Sequence, residues 1–255
     1  HLPIATEQEY WIGLLDSVGA RRPLQLASWD GATAHDVGPG VIHGRCNLVC
    51  KISDSYLGIG DRVLVRGKAA GGDFDSLADL QQILGADAEY DGKPAIISEF
   101  IHPAQDVRVS SDGFGQVHSL DILTMRTKAG GVRVLTVLLW TDCDGWSSHS
   151  CTAGYVVDVH SETVVAPTAW YSPAFAKQRS NLLGMRLPGV REACEKACAA
   201  HAASELPWLY TVGWDAMLTP DGVVFFEGNV AAYRTPRRMF LTPQLTAGFL
   251  QEKGY

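Results

Sequence analysis

The 255-residue sequence has no apolar run long enough to cross a bilayer. Its strongest stretches, such as Ala95 to Ile97 and Val132 to Trp140, are too short or too interrupted, so no membrane partner is expected. It has no Lys/Arg block beyond the pairs Arg21-Arg22 and Arg237-Arg238, and 28 acidic against 21 basic residues give a net charge of −7. A phosphate-backbone footprint shows as a basic patch, so no nucleic acid is expected as partner, although a local pocket for a small phosphate compound is compatible with overall acidity. No Cys-x-x-Cys occurs. Cys46, Cys50, Cys143, Cys151, Cys194 and Cys198 are thinly spread through a chain able to build its own core. That points to free thiols in a reducing compartment and a cytoplasmic location. The opening HLPIATEQEY lacks the charged start and apolar stretch of a secretory leader. Internal repeats, a Walker A motif, the Rossmann GxGxxG and a Ser/His/Asp or Cys/His nucleophilic set are absent too.

What is present is an ordinary globular composition, 46% hydrophobic and 19% charged, in a length that suits one large domain or two small lobes. Residues 7–19 read as an amphipathic helix closed by Gly19, and 22–45 as an irregular Gly/His/Asp-rich connection. Strands are expected at 46–52, 62–67, 94–101, 106–110, 117–126, 132–140 and 154–160, and helices at 75–85 and 188–206. Residues 161–187 show little regular pattern. Hairpins mixed with helices, without regular strand–helix alternation, give an α+β class. Cys194, Cys198 and His201 share one helical face, but Ala193, Ala197 and Ala199 around them suit close helix packing better than a metal site. His118, His149, His160 and His201 are expected to be structural or exposed.

The most informative passage is Leu209–Leu218, Thr219-Pro220-Asp221-Gly222, Val223–Asn229. Pro-Asp-Gly suits a three-residue hairpin loop with Gly222 left-handed. Thr219 then pairs with Val223, and Asp215 faces Glu227. Asn229 falls on the same face, opposite Gly213. Two directly opposed carboxylates repel unless a cation lies between them, and carboxylate plus amide oxygens suit Mg²⁺. The alternatives are a solvated acidic face, or a four-residue loop whose register separates the acids. Phe225, Phe226, Trp214 and Val212 suggest a buried, central hairpin. Upstream, Lys51 interrupts an apolar strand just before a loop containing Gly58 and Gly60, where it snorkels to water or meets an anion such as phosphate.

Lys51 with Ser55-Tyr56-Leu57-Gly58-Ile59-Gly60-Asp61, then Ser98-Glu99-Phe100-Ile101, then Gly213-Trp214-Asp215 and Phe226-Glu227-Gly228-Asn229, resembles the ATP-grasp superfamily in order and spacing over roughly residues 45–240. Its peptide-ligase-like and sugar-transfer-associated branches are the nearest in pattern. The resemblance implies two α+β lobes clamping ATP, with a reduced or missing N-terminal substrate lobe. Residues 1–45 would be an N-terminal helix and irregular segment, 46–98 the small lobe with the glycine loop, and 99–255 the large lobe with the metal hairpin. It implies that Lys51 and the amides around Gly58 and Gly60 hold phosphates, that Glu99, Phe100 and Ile101 form the adenine-reading hinge, and that Asp215, Glu227 and Asn229 bind Mg²⁺. Arg126, with Arg108 as second choice, would contact phosphate or the transition state; either could instead sit in an ion pair. Asp106-Val107-Arg108 fits the family's Asp-x-Arg pattern, whereas Asp121-Ile122-Leu123 lacks the arginine. The implied activity is an ATP- and Mg²⁺-dependent carboxylate–amine (or thiol) ligase acting on small molecules through an acyl phosphate. Alternatives are a non-catalytic nucleotide-binding module belonging with other domains of a larger polypeptide, and a carbohydrate- or protein-binding domain whose tryptophans line a groove.

Overall fold

Two antiparallel sheets account for the strands in the computed structural model, which describes residues 4–37, 47–52, 62–65, 76–102, 118–142, 152–167, 182–206 and 208–229. The chain divides into two units, residues 1–7 with 23–101 and residues 8–22 with 102–255. Helix α1 (Ile4–Ser17) begins three residues before the expected start, and the boundary between the units falls within it.

The first unit holds β1 (Gln25–Trp29), β2 (Ala34–Asp36), β3 (Asn47–Ile52), β4 (Arg62–Val65), α2 (Leu77–Gly85) and β5 (Ala95–Glu99). The sheet order is β2-β1-β5-β3-β4. Period-two alternation sends Leu48, Cys50, Ile52, Ala95 and Ile97 to one face, where Leu80 and Leu84 of α2 complete the core. Ser76 and Asp79 cap the start of α2 reciprocally. Gln81 then pins α2 to the β1–β2 turn, accepting from the Ala34 amide at 2.8 Å and donating to the Ala32 carbonyl at 2.7 Å. The 22–45 stretch, expected to be irregular, therefore contains two strands. Gly, His and Asp after residue 29 obscure the short apolar run Leu26, Ala27, Trp29, and β1 is secured by pairing with β5 rather than by its own pattern.

The second unit holds β6 (His118–Arg126), β7 (Val132–Asp142), β8 (Thr152–Asp158), β9 (Thr163–Pro167), α3 (Val190–Ala203), β10 (Thr211–Thr219) and β11 (Gly222–Asn229). The order is β11-β10-β6-β7-β8-β9. β9 corrects the expectation of little regular structure over 161–187. Its pairing with β8 supplies what its short, partly exposed pattern does not signal. The expected strand at 106–110 lies outside the described residues. Leu120, Ile122, Val212, Trp214, Ala216 and Phe225 line one sheet face under Trp11 and Leu15 of α1 and the small residues Ala193, Ala197 and Ala200 of α3. α3 has Gly189 at its N-cap and so lacks a capping side chain there. Glu162 substitutes from the β8–β9 turn, accepting from the Gly189 and Arg191 amides at 3.2 and 3.0 Å. Among the described residues no helix is long and apolar enough to cross a membrane.

Candidate functional site

The β10–β11 hairpin places Asp215 opposite Glu227 and Gly213 opposite Asn229, the pairs expected from the sequence, but by a different route. The loop has two residues, Pro220 and Asp221, and Thr219 pairs with Gly222 rather than with Val223. Gly222 has φ 110°, which a side chain would strain. The Thr219 hydroxyl donates to the Gly222 carbonyl at 2.6 Å, closing the turn. The residue removed from the loop returns as a β-bulge: Phe225 pairs with Ala216 and Glu227 with Asp215, leaving Phe226 as the extra residue. Phe226 is 37% exposed, and β11 is the edge strand among the described residues, so the hairpin they form is not the central one expected. It is sealed by other means. The Phe225 amide donates to the Arg21 carbonyl at 2.8 Å, and α1 and α3 cover its apolar face.

Asn229 lies between the two acids. Its Nδ2 donates to Asp215 Oδ2 at 2.9 Å and stands 3.4 Å from Glu227 Oε1. The amide dipole thus offsets part of the repulsion for which a cation was expected. Two carboxylates and an amide form a hard-oxygen donor set once the amide turns its oxygen inward, and that chemistry fits Mg²⁺. On the other side of β10, Asp121 of β6 faces Asp215 directly, so Asp121, Asp215 and Glu227 form a row across three strands. Asp121 is 3% exposed. Sequence reading missed it, although an aspartate inside the apolar strand Leu120–Leu123 was the available signal. Among the described residues no three His, Cys, Asp or Glu side chains converge as a metal-holding group, so Asp121 borders the two-acid-plus-amide set without completing a three-carboxylate cage.

In the first unit, Lys51 pairs across with Ile96 and so points away from the face carrying Cys50, Ile97 and α2. Val49, Ile96, Ser98 and Ser28 share its half-buried face. Glu99 ends β5. Its amide donates to the Leu24 carbonyl at 3.0 Å and its carboxylate accepts from the Leu24 amide at 3.0 Å, fastening the chain at the start of β1. Phe100 and Ile101 follow directly. Gly58, Gly60 and Arg108 lie outside the described residues.

Arg126, expected to reach phosphate, sits on the α3 face of the sheet rather than on the acid face. Its Nη2 donates to the carbonyls of His201 and Ser204 at 3.0 and 2.7 Å, where the C-terminus of α3 favours a cation. Strand parity is the reason: Arg126 shares its side with Thr124 and Ile122, and Asp121 points the other way. His201 is fully buried, with Nε2 donating to the Leu209 carbonyl at 3.0 Å and Nδ1 2.9 Å from the Thr124 hydroxyl. Burial lowers its pKa below the usual imidazole value, opposed by the Leu209 bond and reinforced by the Arg126 charge. Cys194 and Cys198 are free thiols, and burial pushes the Cys194 thiol up to about 12.

With this geometry in view, comparison with solved structures finds the same architecture in enzymes. VanG, a D-Ala:D-Ser ligase from Enterococcus faecalis, aligns over 96% of this chain and 57% of its own at 11% identity and a TM-score of 0.51. An ADP complex of N5-carboxyaminoimidazole ribonucleotide synthetase aligns over 88% of this chain and 45% of its own, at 11% identity and a TM-score of 0.50. The chain spans about half the length of these proteins. No protein-family model matches the sequence, and no curated protein matches it. The shared architecture is the ATP-grasp fold, in its α+β form with two antiparallel sheets.

Proposed function

We propose that this ATP-grasp chain binds ATP with Mg²⁺ and serves a carboxylate–amine (or thiol) ligase, in which a small-molecule carboxylate takes the γ-phosphoryl group and a nucleophile then displaces phosphate. The observation that carries the reading is the Asp215–Glu227 pair with Asn229 between them, held on one face of a hairpin whose other face is buried. When bound, Mg²⁺ neutralises phosphate oxygens and aligns the transferring group. Asp215, Glu227 and Asn229 would hold it, and the removal of charge repulsion along the row would favour the bound state. Lys51 would supply the positive charge facing phosphate from the half-buried side of β3. The loop at Gly58 and Gly60 would offer backbone amides to phosphate oxygens. The proposal keeps Phe100 and Ile101 in the adenine-reading hinge and gives the Glu99 side chain the task of anchoring that hinge to Leu24. With Arg126 engaged at the end of α3, Arg108 becomes the arginine assigned to the phosphoryl group.

The engagement of Arg126 also supports the second reading, a nucleotide-binding module without turnover that works with other domains. Calorimetry with ATP, with and without Mg²⁺, tests what the two readings share: Mg²⁺-dependent binding is expected, and its absence overturns both. Phosphate release in the presence of amino acids, small peptides and hydroxy acids then separates them. Asp215→Asn and Glu227→Gln are expected to abolish turnover with the circular dichroism spectrum unchanged. Retained turnover in both variants removes the metal assignment.

A further inference from the structure

Beneath the acid row, on the α3 side of the sheet, runs a buried polar chain that the proposed chemistry does not use. His201 Nε2 carries its proton toward the Leu209 carbonyl, an acceptor only, so neutral His201 presents Nδ1 as an acceptor to the Thr124 hydroxyl. The Thr124 oxygen in turn accepts the Trp214 indole N–H at 2.9 Å. The Val212 carbonyl, 3.2 Å from the same hydroxyl, provides a second acceptor for its proton. His201, Thr124 and Trp214 are all fully buried. The indole continues the line: Trp214 meets Trp11 edge-on at 5.5 Å and Phe225 at 6.4 Å. Trp11 lies against Gly228, where an added Cβ would fall 2.7 Å from its ring. Trp214 and Gly228 are themselves cross-strand partners. Each is next in sequence to a candidate ligand, Trp214 to Asp215 and Gly228 to both Glu227 and Asn229.

We propose that His201 is a positioning residue for the Asp215, Glu227 and Asn229 set, acting through the Thr124 hydroxyl and the Trp214 indole. The inference rests on the metal reading above. Apolar contacts set no direction for a Trp ring, whereas a hydrogen bond to the indole N–H does, and fixing the ring restrains the backbone of β10 that carries it. Asp215 and Glu227 project from a bulged edge hairpin, so their separation depends on where β10 and β11 are held. The tether supplies that reference from a helix across the sheet. Groups behind metal ligands commonly tune affinity in this way, and their loss typically lowers it on the order of 10–100-fold.

The test uses Mn²⁺ alone, followed by electron paramagnetic resonance of the free ion, on the full chain. Thr124→Val keeps the side-chain shape and removes the hydroxyl, whereas Thr124→Ser keeps the hydroxyl. Thr124→Val is expected to weaken Mn²⁺ binding about tenfold, with Thr124→Ser within about twofold of the parent. The Trp214 indole resonance, assigned with Trp214→Phe in ¹⁵N-tryptophan-labelled protein, is expected to move upfield in Thr124→Val, and its broadening by bound Mn²⁺ to require about tenfold more Mn²⁺ there than in the hydroxyl-bearing variants. If Thr124→Val does not fold, His201→Gln decides, since it leaves Thr124 and the Trp214 ring in place and removes the imidazole Nδ1 beside the Thr124 hydroxyl: weaker Mn²⁺ binding supports the tether. Parent-like Mn²⁺ affinity in the folded variant overturns the positioning role and leaves the metal reading standing. A parent protein that binds no Mn²⁺, with or without ATP, overturns the metal reading and this inference with it. A merely structural role for the chain of bonds would lower the melting temperature and leave the affinity unchanged.

Discussion

On β10, Val212, Trp214, Ala216 and Leu218 turn toward α1 and α3, whereas Thr211, Gly213, Asp215, Met217 and Thr219 turn to the other face. The first set buries apolar surface, and its one polar group, the Trp214 indole, has a buried partner. The second set places like charges beside one another across three strands, an arrangement that costs stability. The same nine residues therefore do two separable things. One face holds the hairpin in place; the other uses that hold to keep charged groups where an unsupported edge hairpin would let them splay. Substitutions on the two faces should move stability and binding in different combinations.

The largest stability effect is expected on the apolar face. Gly228→Ala would put a methyl group 2.7 and 2.8 Å from two Trp11 ring carbons and 3.1 Å from Trp214. Both rings are buried and neither can swing away, so overpacking should cost about 1–3 kcal/mol in urea unfolding. Trp11→Leu in the Gly228→Ala background should cost less than the sum of the two single changes, because it removes the clash. Simple additivity would show that the two positions do not press on one another.

A smaller effect, with a definite sign, attaches to His201. Its folded-state pKa is depressed below 6.5, mainly by burial. The unfolded chain therefore takes up this proton first as pH falls, so the stabilisation is complete above about pH 6.5 and is lost progressively from there down through the folded value. The melting temperature should hold steady above neutral pH and decline as pH falls below about 6.5. His201→Gln should have a lower melting temperature and a shallower slope over that interval. An equal slope in parent and variant would assign the pH dependence to other groups.

The apolar face was legible along Thr211–Thr219, where Val212, Trp214, Ala216 and Leu218 alternate with mostly smaller or polar residues, and in the helical spacing of α3, but not along Leu120–Arg126, whose two sides are both buried. The acid face was legible at Asp215, Glu227 and Asn229 but not at Asp121. Its neighbour relation to Asp215 depends on β6 pairing with β10, about ninety residues away in sequence, and no local signal specifies that pairing. The loop length was misread and the distal register still came out right, because the bulge at Phe226 restored the residue taken from the turn. Arg126 was misplaced for a similar reason. Its residue type suggested phosphate, whereas strand parity sends it to the carbonyls at the end of α3. Strands β1, β2 and β9 escaped notice because pairing, not local composition, is what makes them strands.

The smallest stability effect should come from the acid face. Asp215→Asn removes one charge from between Glu227 and Asp121 and keeps the side-chain shape. Cross-strand like-charge pairs cost about 0.2–1 kcal/mol, so the variant should be as stable as the parent or more stable by up to that amount in metal-free buffer. The Asn229 amide limits the gain, because it already donates to Asp215 and loses a charged acceptor. Divalent metal should reverse the order. A ligand at ten times its dissociation constant stabilises the parent by about 1.4 kcal/mol, and Asp215→Asn should gain almost none of it. Unfolding each protein with and without Mg²⁺ gives the four values required. If the variant is destabilised by more than about 1 kcal/mol in metal-free buffer and Mg²⁺ protects it as well as the parent, then Asp215 belongs to the scaffold, and the division of labour between the two faces does not hold.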